Sequence, residues 1–128
     1  MRVSEMASEG EKMVLRAGDE PVCERCVVAD TPLTRLAGLL GRSGLGAEDG
    51  LLIRPTNAIH TCFMRFPIDA VFLDRDLVVV GVVTELRPWR FAARRRAKSV
   101  LELAAGESRR RGIRVGERFS LADPIAAT

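Results

Sequence analysis

Residues 60–74 read HTCFMRFPIDAVFLD, in which two apolar runs flank the short sequence Arg65-Phe66-Pro67. Such runs around a turn predict two β-strands, at residues 58–64 and 68–73, that pair with each other as a hairpin. The first strand carries His60, the single histidine of the chain. We therefore expect this central hairpin to organise the fold and to present its polar side chains at a candidate site.

Further short apolar runs lie on both sides of the central hairpin and predict additional strands. They are residues 12–16, 22–29, 50–53, 77–86 and 99–103, followed by a closing pair of strands that turns at Gly116. The valine-rich run 77–86 has apolar residues on both faces and so predicts the central strand of a sheet. Asp30 or Thr31 before Pro32 predicts the start of a helix of about ten residues. Residues 104–111 favour a second, shorter helix.

These elements predict a mainly β, α+β domain with one or two short helices. Because most strands are joined by tight turns, we expect antiparallel pairing and a small antiparallel β-barrel or half-barrel. A two-layer sheet with helices on one side is the alternative, since the pattern does not decide whether the sheet closes. We expect a flexible tail over residues 1–11, a single compact domain over 12–122 and a C-terminal tail over 123–128.

The composition is that of an ordinary folded domain, with 47% hydrophobic and 29% charged residues among 128 and a net charge of +3. The longest uninterrupted apolar run, residues 77–83, falls far short of the roughly 20 residues that span a membrane. The N-terminus lacks the apolar stretch of a secretory signal. The sequence therefore predicts a cytoplasmic protein without a membrane span.

Four segments, in this order and spacing, are similar to one known family. They are residues 35–42 (RLAGLLGR), 50–53 (GLLI), 60–74 and 99–103 (SVLEL). Together they resemble the Domain of Unknown Function 192 family of bacterial and archaeal proteins, over about residues 22–121. The resemblance implies a compact β-rich domain without an established activity, and it supplies no catalytic residue. The chain departs from the family pattern at Cys62 and Phe63, and its CxxC at Cys23 and Cys26 lies outside that pattern.

Asp69 is the most demanding polar residue of the central hairpin, because a carboxylate among the apolar residues of PIDAVFL needs a partner. Arg35, Arg42 and Arg65 are the candidate partners for a bidentate ion pair. Such a pair either joins the helix or turn to the sheet or forms part of a polar site. In the second case a small molecule or a protein would bind at a site lined by His60, Thr61, Asp69, Arg42 and Arg65.

An acid-base dyad of His60 and Asp69 is not expected from the pairing of the two predicted strands. In the predicted hairpin Phe63 lies opposite Asp69, so that His60 faces the other side of the sheet. A shift of one residue in register puts both side chains on one face but leaves them roughly 13 Å apart. We therefore assign no catalytic residue and keep a hydrolase-like enzyme at the same site as an alternative.

Cys23 and Cys26 have the spacing of half a zinc site or of a redox pair. Residues three apart on a regular strand point to opposite faces, which disfavours a shared metal ion and a disulfide. We therefore expect neither a metal nor a cofactor.

Residues 87–98 combine a basic run with two interleaved aromatic residues, Trp89 and Phe91. Cations that contact phosphates and rings that stack on bases are the ingredients of nucleic-acid binding, although an exposed solvated loop has the same composition. The candidate nucleic-acid-binding residues are Arg90, Arg94, Arg95 and Arg96. Binding through this segment is a second alternative to our first hypothesis, a non-catalytic binding module with a polar site around the central hairpin.

Overall fold

A computed structural model of the protein describes residues 11–29, 45–46, 48–62 and 64–123. Its strands are β1 (Glu11–Leu15), β2 (Pro21–Ala29), β3 (Asp49–Ile53), β4 (Ala58–His60), β5 (Ile68–Leu73), β6 (Val79–Leu86), β7 (Phe91–Ala93), β8 (Ser99–Ala104) and β9 (Ser120–Ala122). Its helices are a 3-10 turn, Ala17–Asp19, and α1, Glu107–Arg110. The predicted mainly β domain is confirmed, whereas the helix expected after Pro32 and nearly all of both expected tails lie outside the described residues. No helix within the described ranges is long and apolar enough to cross a membrane.

Seven strands form one sheet in the order β6-β5-β8-β3-β2-β1-β9, and β4 and β7 form a separate two-stranded ribbon. Neighbouring strands are antiparallel as expected, except that β2 and β3 run parallel. The valine-rich strand β6 lies at one end of the sheet order, so its predicted central position is wrong. Val79 and Val82 pack on one apolar cluster and Val80 and Val83 on another, so both faces of this edge strand are covered. Burial of both faces explains the continuous apolar run of β6, although the strand lies at the edge of the sheet.

The predicted pairing of the central hairpin is also wrong. β4 pairs with β7, whereas β5 lies between β6 and β8 in the large sheet. Thr61, directly after β4, donates its N–H to the main-chain oxygen of Arg90 and accepts the N–H of Trp89. These bonds hold the first predicted strand of the central hairpin against a segment almost 30 residues further along the chain. The second predicted strand is not its partner.

Two apolar clusters occupy the two faces of the large sheet. The first draws side chains from β1, β2, β3, β5, β6 and β8, with Ile113 and Phe119 from the segment before β9. The second lies on the other face of β3, β5 and β8, where Ile59 of β4 and Ala92 of β7 cover it. The β4–β7 ribbon is therefore a second layer, whose inner face is buried and whose outer face is open to solvent.

The two ends of the large sheet approach each other. Val78 and Arg118 form an isolated bridge, and the main chain of Leu77 and Val79 bonds to residues 116–119. However, β6 and β9 are not neighbours in the sheet order. A closed barrel is accordingly not confirmed, and a curled sheet with a covering ribbon is what these contacts describe.

Candidate functional site

The Asp69 carboxylate lies on the face of β5 that packs on the first cluster and is completely buried. Its Oδ1 accepts the N–H of Glu85 at 2.9 Å and that of Gly106 at 3.1 Å. Its Oδ2 accepts the N–H of Ser108 at 2.9 Å and the Ser108 hydroxyl at 2.6 Å. All four bonds are short and their donors are neutral, so the described residues hold the carboxylate in a fixed orientation without placing a cation on either oxygen.

The four donors belong to three residues in two segments of the chain. Glu85 has φ 52° at an irregularity in the β5–β6 register, where residues 68 to 70 of β5 face residues 83 to 86 of β6. Gly106 has φ 91°, a conformation that glycine adopts without strain, and it precedes α1. Asp69 thus joins the bulge in β6, the end of β8 and the start of α1.

Asp69 does have partners, as its apolar setting predicted, but within the described residues they are amides and a hydroxyl rather than an arginine. Arg65 is exposed in the turn after β4. Arg35 and Arg42 lie outside the described residues. Two irregular segments of the described chain bring N–H groups outside the ladder hydrogen bonds to this carboxylate.

Thr61 is also completely buried. Its hydroxyl donates to the main-chain oxygen of Arg87 at 2.5 Å and accepts the N–H of Arg90 at 2.9 Å. Both bonds close the loop between β6 and β7 onto the end of β4. The hydrogen-bonding capacity of Thr61 is therefore used inside the protein, at the base of the ribbon.

His60 lies apart from Asp69, on the outer face of the β4–β7 ribbon, where it is the Cα partner of Phe91. Its Nδ1 accepts the N–H of Cys62 at 3.3 Å. Phe91 is 70% exposed and Trp89, in the preceding loop, is 58% exposed. Trp89 has φ 64°, which is rare for a bulky side chain. The outer face of the ribbon therefore carries the exposed Phe91 ring next to an imidazole, and the exposed Trp89 lies in the loop that leads into β7.

The segments that form and flank the ribbon, residues 57–68 and 86–101, contain basic residues but no aspartate or glutamate. Each of these basic side chains is exposed: Arg65, Arg87, Arg90, Arg94, Arg95, Arg96 and Lys98. Arg94 also packs against the large sheet, with its guanidinium carbon 5.4 Å from the centre of the Phe72 ring. The predicted residues Arg90, Arg94, Arg95 and Arg96 thus lie at the two ends of β7, beside His60 on β4, whereas Asp69 lies on the other face of the large sheet.

A second buried carboxyl, that of Glu102, was missed from the sequence. It lies on the face of β8 opposite to that of Leu101 and Leu103, is 2% exposed, and its Oε2 has no hydrogen-bond partner among the described residues. Burial raises the pKa of Glu102 to about 8. Alternating apolar and polar residues, as in SVLEL, are typical of a half-buried strand, but both faces of β8 are covered. The useful signal was the one that identified Asp69, an acidic residue within an apolar run.

Cys23 and Cys26 are both buried in the first cluster, so the expectation that they face opposite sides of β2 is wrong. The reason is an irregularity in the pairing with β1, in which Cys26 is opposite Lys12 but Cys23 is opposite Val14. Three steps along β2 thus match two along β1, as at a β-bulge. Within the described ranges, no three His, Cys, Asp or Glu side chains are grouped so that they could hold a metal ion.

Comparison with known proteins agrees with the resemblance seen in the sequence. The DUF192 family, described as "Uncharacterized ACR", matches residues 13–121. The chain belongs to the DUF192 family. This assignment carries no activity, because the family itself is uncharacterised.

Two curated relatives, both from species of Pyrococcus, are also uncharacterised. A UPF0127 protein of Pyrococcus abyssi is 41% identical over 61 residues, which are 47% of this chain and 51% of the relative. A UPF0127 protein of Pyrococcus furiosus is 39% identical over 63 residues, 48% of this chain and 53% of the relative. The chain thus spans about half the length of the curated relatives it matches.

Two solved structures share the fold. One, named as a candidate transcription regulator of Sinorhizobium meliloti, has a TM-score of 0.76 and 22% identity over 87% of this chain and 93% of its own. The other, a protein of unknown function from Novosphingobium aromaticivorans, has a TM-score of 0.73 and 22% identity over 86% of this chain and 83% of its own. At these identities the similarity concerns the fold alone.

Proposed function

We propose that this DUF192 protein is a non-catalytic binding module and that the outer face of the β4–β7 ribbon binds single-stranded nucleic acid. The observation that carries the proposal is that two exposed rings, Trp89 and Phe91, lie in one chain segment with six exposed basic side chains and no acidic residue, residues 86–101. Aromatic rings stack on unpaired bases of any sequence, and neighbouring cations contact the phosphates. The site retains His60 from the central hairpin, but not Thr61 or Asp69.

Charge supports a polyanion as the ligand. The chain as a whole has a net charge of only +3, yet residues 57–68 and 86–101 carry seven basic and no acidic side chains. An exposed surface of one sign attracts the opposite charge over distances comparable to the Debye length. Single strands suit this surface better than duplexes, because only unpaired bases offer their faces to Trp89 and Phe91.

The backbone of Trp89 supports a functional role for its side chain. The left-handed backbone conformation of a bulky residue costs on the order of 1–3 kcal/mol in strain. Such strained residues occur preferentially at functional sites. Here the conformation is held by the bond from the Trp89 N–H to the main-chain oxygen of Thr61. Buried Thr61 thereby serves the site indirectly, because it fixes the loop that carries the indole.

A hydrolase at the same site has less support. The hydrogen bond of His60 within the described residues comes from a main-chain amide, that of Cys62. Asp69, the carboxylate that could orient an imidazole, has all of its described bonds on the other side of the sheet. We therefore propose binding without catalysis.

Trp89 provides the test, because it is the single tryptophan of the chain and its fluorescence reports directly on the proposed surface. We expect oligo(U) or oligo(dT) to quench this fluorescence, and the affinity to fall as salt is added because counterions compete for the phosphates. Parallel titrations with the two oligomers distinguish RNA from DNA. A duplex of equal length should bind more weakly, and a lack of quenching by either single strand at low salt would contradict the proposal.

Two pairs of variants separate stacking from charge. Phe91→Ala should weaken binding by roughly tenfold, the loss of one stacked base. Val115→Ala, which truncates another exposed apolar residue away from the ribbon, should leave binding unchanged. The double change Arg95→Gln and Arg96→Gln should reduce the salt dependence by about two phosphate contacts. The same change at exposed Arg109 and Arg114 should not, and equal effects of the two double variants would refute a localised site.

A further inference from the structure

The two core cysteines occupy a position that a regular strand would not allow. The bulge in β2 turns Glu24 and Arg25 outward together and places Cys23 and Cys26 on the same, buried side. Both side chains are completely buried in the first cluster. A vicinal dithiol is thus built into the sheet.

The surroundings of the two sulfurs differ. The Cys23 thiol donates to the main-chain oxygen of Glu48, an exposed residue just before β3, at 3.4 Å. It also lies directly over Gly50, where a Cβ atom would be 2.7 Å from the Cys23 Sγ. Cys26 lies further along β2, opposite Gly50 in the parallel pairing. The Cys23 sulfur is therefore the one nearer to a surface loop. Because Gly50 has no side chain, it leaves room for this sulfur.

We propose that Cys23 and Cys26 form a redox-active dithiol that a peroxide oxidises to an intramolecular disulfide. The Cys23 thiolate attacks the peroxide oxygen, the O–O bond breaks, and Cys23 becomes a sulfenic acid as one hydroxide leaves and is protonated to water. The Cys26 thiol then attacks the Cys23 sulfur, the S–O bond breaks, and a second water leaves. Two thiols lose two electrons in total, and one peroxide gains them.

The electrostatics of the pair agree with this division of roles. The pKa of the Cys23 thiol is lowered, chiefly by the hydrogen bond from Cys26. The pKa of Cys26 is raised well above its ordinary value by the same bond and by burial. Since the thiolate is the nucleophile, Cys23 is the attacking residue and Cys26 the resolving one.

The sequence allows an unambiguous readout in the full-length protein. Trypsin cleaves after Arg25, between the two cysteines, and so releases residues 17–25 and 26–35 as separate peptides, while Cys62 lies in a third peptide, residues 43–65. After treatment with hydrogen peroxide and alkylation of the remaining thiols, we expect the first two peptides to stay linked. Dithiothreitol should separate them again.

Cys62 provides the matched control, because it is a free thiol outside the pair. Cys62→Ser should form the linkage as well as the wild type does. In Cys26→Ser, a sulfenic acid should accumulate on Cys23 and be trapped by dimedone, and in Cys23→Ser, Cys26 should remain a thiol. The proposal is overturned if the folded wild type keeps both thiols while Cys62 oxidises, or if Cys62 enters the disulfide.

Discussion

Asp69 and Glu102 are two buried carboxyl groups on neighbouring strands of one sheet, and the protein accommodates them in opposite ways. Asp69 on β5 receives four hydrogen bonds from three residues, Glu85, Gly106 and Ser108. The Oε2 atom of Glu102 on β8 has no hydrogen-bond partner among the described residues, and burial raises the pKa of this group to about 8. Asp69 therefore links separate segments of the fold through hydrogen bonds, whereas Glu102 holds a proton in the interior.

The difference lies in the backbone near each side chain. Irregular backbone at Glu85 and at Gly106 leaves N–H groups outside the ladder hydrogen bonds, and these point at Asp69. Glu102 lies within regular pairing, between Leu51 of β3 and Ala70 of β5, where the ladder uses the backbone donors. In this protein, irregular backbone supplies hydrogen-bond donors to the buried Asp69 carboxyl. The Glu102 carboxyl lies in regular strands and instead retains its proton to a higher pH.

The largest effect is expected from Asp69→Asn. In either orientation of the new amide, its NH2 group faces two of the four donors and cannot accept their hydrogen bonds. Each buried donor left without an acceptor costs about 1–3 kcal/mol of stability. We expect a loss of roughly 3–5 kcal/mol in the free energy of unfolding, measured by urea denaturation.

Asp74→Asn is the matched control for that measurement. Asp74 also accepts two main-chain N–H bonds, from Asp76 and Val78, but it is only half-buried in the turn between β5 and β6. Water can replace those bonds, so we expect about 1 kcal/mol or less. If the two variants lost similar stability, burial would not be what makes Asp69 important.

Glu102→Gln tests the other half of the comparison through pH. The folded protein keeps the Glu102 proton up to about pH 8, whereas the unfolded side chain ionises near its ordinary pKa of 4.5. Unfolding therefore releases a proton in this window, so the stability contributed by Glu102 is complete below pH 4.5 and falls until the pH passes about 8. At pH 7 the loss amounts to about 3 kcal/mol, which Glu102→Gln should recover.

The measurement is urea denaturation of both proteins from pH 5 to pH 9. Wild type should lose stability across the window relative to the variant, and the difference should level off above pH 8. The strand residues opposite Glu102, Leu51 and Ala70, do not titrate and so cannot mimic this effect. Parallel pH profiles for the two proteins would show that Glu102 ionises normally in the folded state.

The two carboxyls also show what sequence can predict in this protein. The apolar run around Asp69 correctly indicated burial and a need for partners, and the same reasoning applied to SVLEL would have identified Glu102. The identity of the partners was not predictable, because the donors come from 16, 37 and 39 residues further along the chain. Only the sheet order brings these segments to β5.

Most strand locations were predicted, but β7 was not, only β9 forms of the closing pair expected around Gly116, and the pairing of the central hairpin was wrong. Residues 22–29 and 68–73 were expected as strands and correspond closely to β2 and β5. Local pattern assumes that adjacent strands pair and that side chains alternate without interruption. The bonds of Thr61 to Arg87 and Arg90 violate the first assumption, and the bulge between Cys23 and Cys26 violates the second. These two departures gave the protein its ribbon and its dithiol.

The smallest effect is expected from removing the hydroxyl groups of two buried serines. These two uncharged side chains differ in the same way as the two carboxyls, since one has a hydrogen-bond partner and the other has none among the described residues. Ser108 donates its hydroxyl to Asp69 at 2.6 Å, whereas the Ser99 hydroxyl has no partner among the described residues. Ser108→Ala should cost roughly 1–3 kcal/mol in thermal or urea unfolding, because a hydrogen bond to a charged group is lost. Ser99→Ala should be neutral or slightly stabilising, because it removes a buried hydroxyl that bonds to nothing in the described structure. Equal losses at the two positions would mean that the serines contribute by packing, and that the donors around Asp69 are not what distinguishes it from Glu102.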